Sequence, residues 1–271
     1  PGLPKAIDMA GSQGLHTALT TNGVLITPDF QDSCLSNLFS LKVSVIDSDA
    51  KRYALFHGTN EAQWKHVVDN VTYASKLKYK YSLNLIIHTT VYAEDSNYED
   101  LKSIVEFCKD IGFDLVTIDR AFYSERTPNP KLSVFTEYQN ESFFKDLEKE
   151  IQSLEDDSFG VHFDLFNKMT CPPIDETRTI NCPGIHFSTV IDAKGFVYPC
   201  WRYWGNIDYA YGNLIEQSFE DIWRSHRRLE INAKMETELY SQKTCSPCGH
   251  ARINEQLLQL EDENPWANFL T

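Results

Sequence analysis

Four cysteines in the C-terminal part of the chain have the number and spacing of a metal site. Cys182 and Cys200 form the pattern C-x12-G-x4-C around Gly195, and Cys245 and Cys248 form a C-x2-C pair in TCSPCGH. The short spacing lets the sulfurs of the pair converge on one centre, and a turn glycine lets the cysteine that closes a hairpin point there too. Four thiolates are what a tetrahedral Zn²⁺ or a four-iron cluster needs.

Two other interpretations of these cysteines compete with metal binding. A disulfide framework is disfavoured, because the chain has 7 cysteines, an odd number, and no secretion signal. Cys182 and Cys200 could instead be ordinary core residues, because unpaired cysteine is among the most buried residue types. The coincidence of two cysteine pairs favours a metal, and a structural zinc remains the alternative to iron.

The composition argues against several classes of function. A formal net charge of −14 with no basic stripe argues against nucleic-acid binding. The sequence contains no run of about 18 apolar residues, so we expect no membrane span. The first residues lack a signal-peptide pattern, and we therefore expect a cytoplasmic protein. The absence of an initiator methionine is typical of a truncated chain.

The first half alternates between strand and helix patterns. The predicted strands are HTALTTN (16–22), LKVSVID (41–47), SLNLIIHTTVY (82–92) and FDLVTIDRAF (113–122), and the predicted helices are 60–77, 97–112 and 143–155. Near-continuous apolar runs are typical of parallel strands buried on both faces, with helices as the crossovers. We therefore predict an α/β fold with a parallel sheet, whose ligands would lie at the carboxyl ends of the strands.

The last hundred residues have a different character, with many turns, cysteines and aromatic residues. FSTVIDAKGFVYPC predicts a β-hairpin that turns at residues 192–195. SFEDIWRSHRRLEINAKM predicts one helix, with Ser218 as its N-cap. We place a domain boundary so that residues 1–160 form the first domain and residues 161–271 form the second.

The cysteine pattern, together with the segments around it, resembles a known family. CPGIHFSTVIDAKGFVYPCWRYWGNIDYAYGNLIEQSFEDIWRS followed by CSPC is similar to the auxiliary-cluster region of radical S-adenosylmethionine (SAM) enzymes. That region is called SPASM when it holds two clusters and Twitch when it holds one. The full SPASM pattern continues C-x2-C-x5-C-x3-C, but Asn254 stands six positions after Cys248 and no cysteine follows. The sequence therefore resembles the Twitch form.

The first half resembles the (β/α) barrel of the same enzymes. TTNGVLIT is similar to the third barrel strand, VSVIDSDAKRYALFHG to the fourth, and PGLPKAIDMAGSQG to the stretch after the second-strand GGEP motif. The family's C-x3-C-x2-C and GGE segments do not occur here. We therefore expect an N-terminally truncated, partial barrel that begins after these segments and cannot cleave SAM as it stands; a degenerate relative is the other interpretation.

The resemblance implies a set of cofactor contacts. It implies that an auxiliary [4Fe–4S] cluster is held by Cys182, Cys200, Cys245 and Cys248, with Cys171 as an extra or substitute ligand or simply a loop cysteine. It also implies that SAM and a second [4Fe–4S] cluster bind in the complete protein. The polar contacts to SAM would come from Asn22, Ser44 and Asp47. No catalytic residue is implied.

The resemblance also implies a function. A radical SAM oxidoreductase or maturase would use a 5′-deoxyadenosyl radical to abstract hydrogen from its substrate, with the auxiliary cluster assisting electron transfer or substrate binding. The implied partners are a small molecule (a sugar or aminocyclitol) or a peptide as substrate, and an electron donor such as flavodoxin or ferredoxin. The alternative is a non-enzymatic α/β protein in which the four cysteines hold a structural zinc.

Overall fold

The computed structural model describes residues 2–93, 98–120, 141–163 and 182–242, together with residues 254 and 257. The chain divides into two compact units, unit 1 at residues 1–166 and unit 2 at residues 167–271. Among the described residues, none of the helices combines the length and the apolar character that crossing a bilayer requires.

Unit 1 is an α/β structure built on a parallel sheet, which confirms the predicted fold class. Its strands are β1 (Thr17–Thr21), β2 (Leu38–Val43), β3 (Ile86–Ala93), β4 (Leu115–Arg120) and β5 (Gly160–Phe163). Its helices are α1 (Leu3–Ser12), α2 (Pro28–Cys34), α3 (Ala50–His57), α4 (Glu61–Tyr81), α5 (Leu101–Ile111) and α6 (Glu141–Gln152). The strands follow one another in chain order across the sheet, and every neighbouring pair is parallel.

This strand order puts the crossover helices on one face of the sheet. Crossovers between parallel strands are right-handed, so a sheet wound in a single direction receives all of its helices on the same side. The core forms there, from the inner sides of the helices and one face of each strand, including the register pair Val91 and Ile118. The opposite face carries polar, partly exposed residues such as Lys42 and His88, which are paired in register. The prediction that the strands are buried on both faces was therefore wrong for the described sheet.

The element boundaries differ from the predictions at β2. This strand runs from Leu38 to Val43, whereas the sequence pattern predicted residues 41–47. The N–H of Ser44 still bonds the Thr21 carbonyl of β1 at 3.0 Å, but the N–H and carbonyl of Val45 bond the Thr89 hydroxyl at 3.2 and 3.1 Å instead of backbone groups of β3, so the strand pairing ends. The predicted end of α5 is confirmed, since Gly112 adopts a left-handed conformation there with φ of 100°.

Residues 182–242 of unit 2 form a small antiparallel sheet and the helices α7 (Phe219–Trp223) and α8 (His226–Gln242). The strands are β6 (Val190–Ile191), β7 (Phe196–Tyr198) and β8 (Gly212–Asn213), in that order. β6 and β7 form the predicted hairpin, and the Asp192 carboxylate supports its turn by accepting from the backbone N–H groups of Lys194 and Phe196 at 2.8 and 2.9 Å. Gly195 has φ of 84°, a conformation that side-chain-bearing residues rarely adopt.

The helix predicted after Ser218 is divided into two. α7 (Phe219–Trp223) begins as expected, because the Ser218 hydroxyl accepts from the N–H of Asp221 at 3.1 Å. α8 (His226–Gln242) begins anew, because the Ser225 hydroxyl accepts from the N–H of Arg228 at 3.1 Å. A second serine cap therefore interrupts the pattern, and the sequence analysis did not recognise it.

Candidate functional site

The two described cysteines of the predicted metal site lie at chain turns of unit 2. Cys182 precedes a short helical turn, and its carbonyl accepts from the N–H of Ile185 at 3.2 Å. Cys200 follows β7 and precedes another turn, and its carbonyl accepts from the N–H of Tyr203 at 3.2 Å. Both side chains are buried, with exposed fractions of 7% and 8%. Cys245, Cys248 and Cys171 lie outside the described residues.

The glycine of the C-x12-G-x4-C pattern has a structural explanation. Gly195 sits at the hairpin turn, where a Cβ would also lie only 2.8 Å from the Asn213 side-chain oxygen. The turn leads directly into β7, and Cys200 comes two residues after that strand ends. A second glycine, Gly212 in β8, lies so close to Ile222 that a Cβ would be 2.9 Å from its Cγ1. The G-x4-C part of the motif therefore spans the second arm of the hairpin, from the turn at Gly195 to Cys200 just after β7.

A buried tyrosine lies near both cysteines. Tyr211 is 2% exposed and shares a core cluster with Cys182. Burial raises the pKa of its phenol far above the ordinary value, the thiols of Cys200 and Cys182 raise it further, and the positive charge of Arg228 opposes these effects. The Tyr211 hydroxyl donates to the Asn232 side-chain oxygen at 2.6 Å. Tyr211 is thus a buried phenol that stays protonated in the same core as Cys182.

Two side chains of α8 bring unsatisfied hydrogen-bond donors into this neighbourhood. Arg228 and Asn232 stand one helical turn apart and are 9% and 4% exposed. In the described part of the chain, Nε of Arg228 and Nδ2 of Asn232 have no hydrogen-bond partner. The Arg228 guanidinium packs 3.8 Å from the centre of the Trp223 ring and donates to the Trp223 carbonyl at 3.2 Å. Buried donors without acceptors cost free energy, so they point to an acceptor near them.

Sequence comparison identifies the region that contains these residues. Residues 182–249 match the SPASM family, an iron–sulfur cluster-binding domain. The chain carries a SPASM domain. The match spans both predicted cysteine pairs and includes Tyr211, Arg228 and Asn232. No curated protein sequence matches the chain.

Structure comparison finds solved structures whose fold is similar to that of most of the chain. Streptococcus suis SuiB bound to S-adenosylmethionine matches with a TM-score of 0.58 and 17% identity, over 93% of this chain and 57% of SuiB. SuiB bound to the precursor peptide SuiA matches with a TM-score of 0.56 and 16% identity, over 93% of this chain and 56% of SuiB. The histidine-tagged form of anSMEcpe with bound AdoMet matches with a TM-score of 0.50 and 17% identity, over 84% of this chain and 61% of that one.

These likenesses concern the fold, and the chain spans only 54% of SuiB in another of the matches. The SPASM match and the shared fold together confirm the resemblance to radical SAM enzymes with a SPASM-type domain. The prediction of an iron–sulfur domain is confirmed by the family match.

The described residues of the SPASM domain fit an anionic, sulfur-ligated group. The predicted ligands are soft thiolates, and the surrounding groups offer a buried positive charge and unsatisfied N–H donors from Arg228 and Asn232. Donors of this kind stabilise sulfur ligands that carry negative charge. Among the described residues no group of three or more metal-binding side chains forms, and two of the four predicted ligands lie outside them.

The three predicted SAM contacts lie at the carboxyl ends of the first two strands in unit 1. Asn22 directly follows β1 and is exposed, and its side-chain oxygen accepts from the N–H of Val24 at 3.2 Å. The following Gly23 has φ of 81°, and a Cβ there would lie 2.6 Å from Cγ1 of Val43. Asn70 holds the same turn by donating to the Gly23 carbonyl at 2.9 Å. The TNG sequence thus forms a tight turn that places Asn22 at the carboxyl end of β1.

Ser44 and Asp47 belong to the segment that follows β2. Because β2 ends at Val43, neither residue is part of the strand. Asp47 is 4% exposed, and its carboxylate accepts from Nε of Arg52 at 2.7 Å and from the N–H of Asp49 at 2.8 Å. Arg52 also pairs with Asp100 at 2.8 Å. The Asp47 carboxylate is therefore engaged in an ion-pair network.

Helix α3 connects the three predicted residues. Arg52 binds Asp47, the Tyr53 hydroxyl donates to the Asn22 carbonyl at 3.5 Å, and Nε2 of His57 donates to the Ser44 carbonyl at 3.2 Å. Burial lowers the pKa of His57, so its ring is neutral near pH 7. Helix α3 therefore contacts the segments that follow β1 and β2, and together they form one edge of the candidate site in unit 1.

The sequence analysis missed the supporting residues of both sites. In unit 2 the available signal was polar Arg228 and Asn232 on the same helical stripe as the buried Ile231 and Met235. In unit 1 no comparable signal identified α3, because the helix has only eight residues and Tyr53 is its one fully buried side chain. Polar residues on an apolar stripe are the pattern that would have identified Arg228 and Asn232.

Proposed function

We propose that this chain is part of a radical SAM enzyme in which the SPASM domain binds an auxiliary [4Fe–4S] cluster of the single-cluster, Twitch type. Its ligands are the four cysteines Cys182, Cys200, Cys245 and Cys248. The observation that carries this proposal is the burial of Cys182 and Cys200 within a region that matches an iron–sulfur domain family, where the buried Tyr211 packs in the same core as Cys182.

The residues around the cysteines have distinct roles in this proposal. The cluster supplies one-electron transfer, with a reduction potential set by net charge, hydrogen bonds and exposure. Arg228 offsets the negative charge of the thiolate ligands. Tyr211 excludes water and, held by Asn232, stays protonated. The domain is therefore suited to accept or pass on an electron, or to bind part of a substrate.

Unit 1 contributes the SAM-binding side in this proposal. The edge formed by Asn22, Ser44 and Asp47 lies at the carboxyl ends of parallel strands, where α/β folds bind ligands. S-adenosylmethionine and a second [4Fe–4S] cluster supply hydrogen abstraction in the complete protein. The backbone turn at Asn22 and the charge pair of Asp47 with Arg52 hold the edge in place.

We infer that the substrate is a peptide or a small molecule, and the peptide is the first candidate. SuiB, whose fold this chain shares over 93% of its length, is described with a bound precursor peptide. A sugar or aminocyclitol is the second candidate, from the resemblance to Twitch enzymes. The electron for SAM cleavage would come from a donor such as flavodoxin or ferredoxin.

Anaerobic reconstitution with iron and sulfide tests the cluster proposal. The wild-type chain is expected to become brown and to hold about four iron atoms. The variants Cys182→Ala and Cys200→Ala should lose most of this iron, because each removes a ligand. Cys108→Ala is the matched control, since Cys108 is equally buried but lies in the core of unit 1.

Three outcomes of this experiment would contradict the proposal. A colourless wild-type chain that holds one zinc would favour the structural-zinc alternative. Equal iron in all four proteins would show that Cys182 and Cys200 are not ligands. Loss of iron in Cys108→Ala alone would move the metal site to unit 1.

A further inference from the structure

Asn254 connects to a predicted cluster ligand through its side chain. Its Nδ2 donates to Sγ of Cys182 at 3.2 Å, and its Oδ1 accepts from the N–H of Gly184 at 2.8 Å. The two bonds join residues that are 72 and 70 positions apart in the chain. Asn254 therefore fixes the turn that carries Cys182 and reaches its sulfur at the same time.

The orientation of this amide is determined by its partners. An asparagine has an oxygen that accepts and a nitrogen that only donates. The backbone N–H of Gly184 can bond only to an acceptor, so it requires Oδ1 on its side of the amide. Nδ2 is then left facing the sulfur of Cys182. The reversed amide would place a donor against a donor at Gly184 and an acceptor against the sulfur.

The sequence position of Asn254 is also informative. It stands six residues after Cys248, where the longer SPASM pattern has a cysteine. The structure brings this side chain to a ligand sulfur although the residue carries no thiol. A hydrogen-bond donor thus occupies the position at which the longer pattern supplies a ligand.

We propose that Asn254 is a positioning residue that raises the reduction potential of the auxiliary cluster through an N–H···S bond to Cys182. The inference rests on the proposed function, since it requires a cluster at Cys182. One-electron reduction adds negative charge to the cluster and its thiolate ligands. A donor aimed at a ligand sulfur stabilises that charge more in the reduced state than in the oxidised one.

The test measures the midpoint potential of the reconstituted chain by a redox titration followed by electron paramagnetic resonance. Two variants separate the roles of the amide. Asn254→Ala removes both hydrogen bonds, and Asn254→Asp keeps an oxygen for Gly184 but removes the donor to sulfur and adds a negative charge, so its shift should be the larger of the two. Both are expected to shift the midpoint potential to more negative values. Asn206→Ala, at an exposed turn where the amide accepts from the N–H of Asp208, is the matched control and should show no shift.

Iron content and circular dichroism are measured on the same samples. If the variants retain wild-type iron and an unchanged midpoint potential, the inference is wrong while the cluster proposal stands. If only Asn254→Ala shifts the potential, the bond to Gly184 and not the bond to sulfur is responsible, and the inference is again wrong. If wild-type protein binds no cluster, the proposed function itself has failed. A negative shift in both Asn254 variants with the control unchanged supports the inference.

Discussion

At the scale of single residues, the cysteine site is defined as much by its neighbours as by its ligands. Arg228 is an almost fully buried cation whose Nε lacks a partner in the described structure. An unsatisfied buried donor destabilises a protein unless binding provides its acceptor. We therefore expect Arg228 to contribute more to cluster binding than to the stability of the domain without a cluster.

The variant Arg228→Met should therefore affect metal binding and have little effect on the stability of the apo chain. Urea unfolding of the apo chain should show little loss of stability, because removing a buried charge whose Nε has no acceptor offsets the loss of its contacts with Trp223. Metal affinity should fall by about 10- to 100-fold, the usual effect of losing a residue that supports a metal site. A chelator-competition assay measures the latter.

Arg227→Met is the control for this prediction. Arg227 stands next to Arg228 on α8 but is exposed and donates to the Asp208 carbonyl at 2.8 Å. It should leave the metal affinity at the wild-type value. Equal losses of affinity in both variants would indicate a general effect of charge, and an unchanged affinity in Arg228→Met would remove Arg228 from the site.

At the scale of elements, the turn after β1 determines the geometry of the proposed SAM-binding edge. Gly23 combines a positive φ with a space that Val43 and Val67 already fill, since a Cβ would lie 2.6 and 2.9 Å from their methyl groups. The glycine of TNG is thus required for two reasons, the backbone conformation and the lack of space for a side chain. Asn22 depends on this turn for its position.

Gly23→Ala is expected to destabilise unit 1 strongly. Backbone strain costs about 1–3 kcal/mol, and overpacking against two valines adds about 1–3 kcal/mol. Gly58→Ala is the matched control, because Gly58 has φ of 62° but open space around it, and so should cost only the strain. Hydrogen exchange of the β1 and β2 amides measures both. Equal costs would show that packing at Gly23 is unimportant.

Several elements could be predicted from the sequence because one strong local signal defines each of them. α5 ends at its glycine, and the hairpin turns where Asp192 and Gly195 predict a turn. The end of β2 could not be predicted, because it depends on a long-range contact. Val45 bonds the Thr89 side chain instead of continuing the backbone pairing with β3. β5 was missed because its four residues are too few for a periodic signal.

At the scale of the whole molecule, two units carry two parts of the proposed chemistry. Unit 1 has a single-direction parallel sheet with a polar face, and unit 2 has the SPASM domain. The cysteine pattern predicted an iron–sulfur domain, which the family match confirms, and the four-cysteine ligand set stays a prediction. Tyr211 and Asn254 could not be predicted, because they come near the cysteines only through tertiary folding.

The most direct test of the central claim is the Mössbauer spectrum of the chain reconstituted with isotopically enriched iron. We predict that most of the iron, about four atoms per chain, gives the signal of a single [4Fe–4S] cluster, and that this signal disappears in Cys182→Ala. A chain that holds one zinc and no cluster iron, or iron as isolated single ions, would contradict the account.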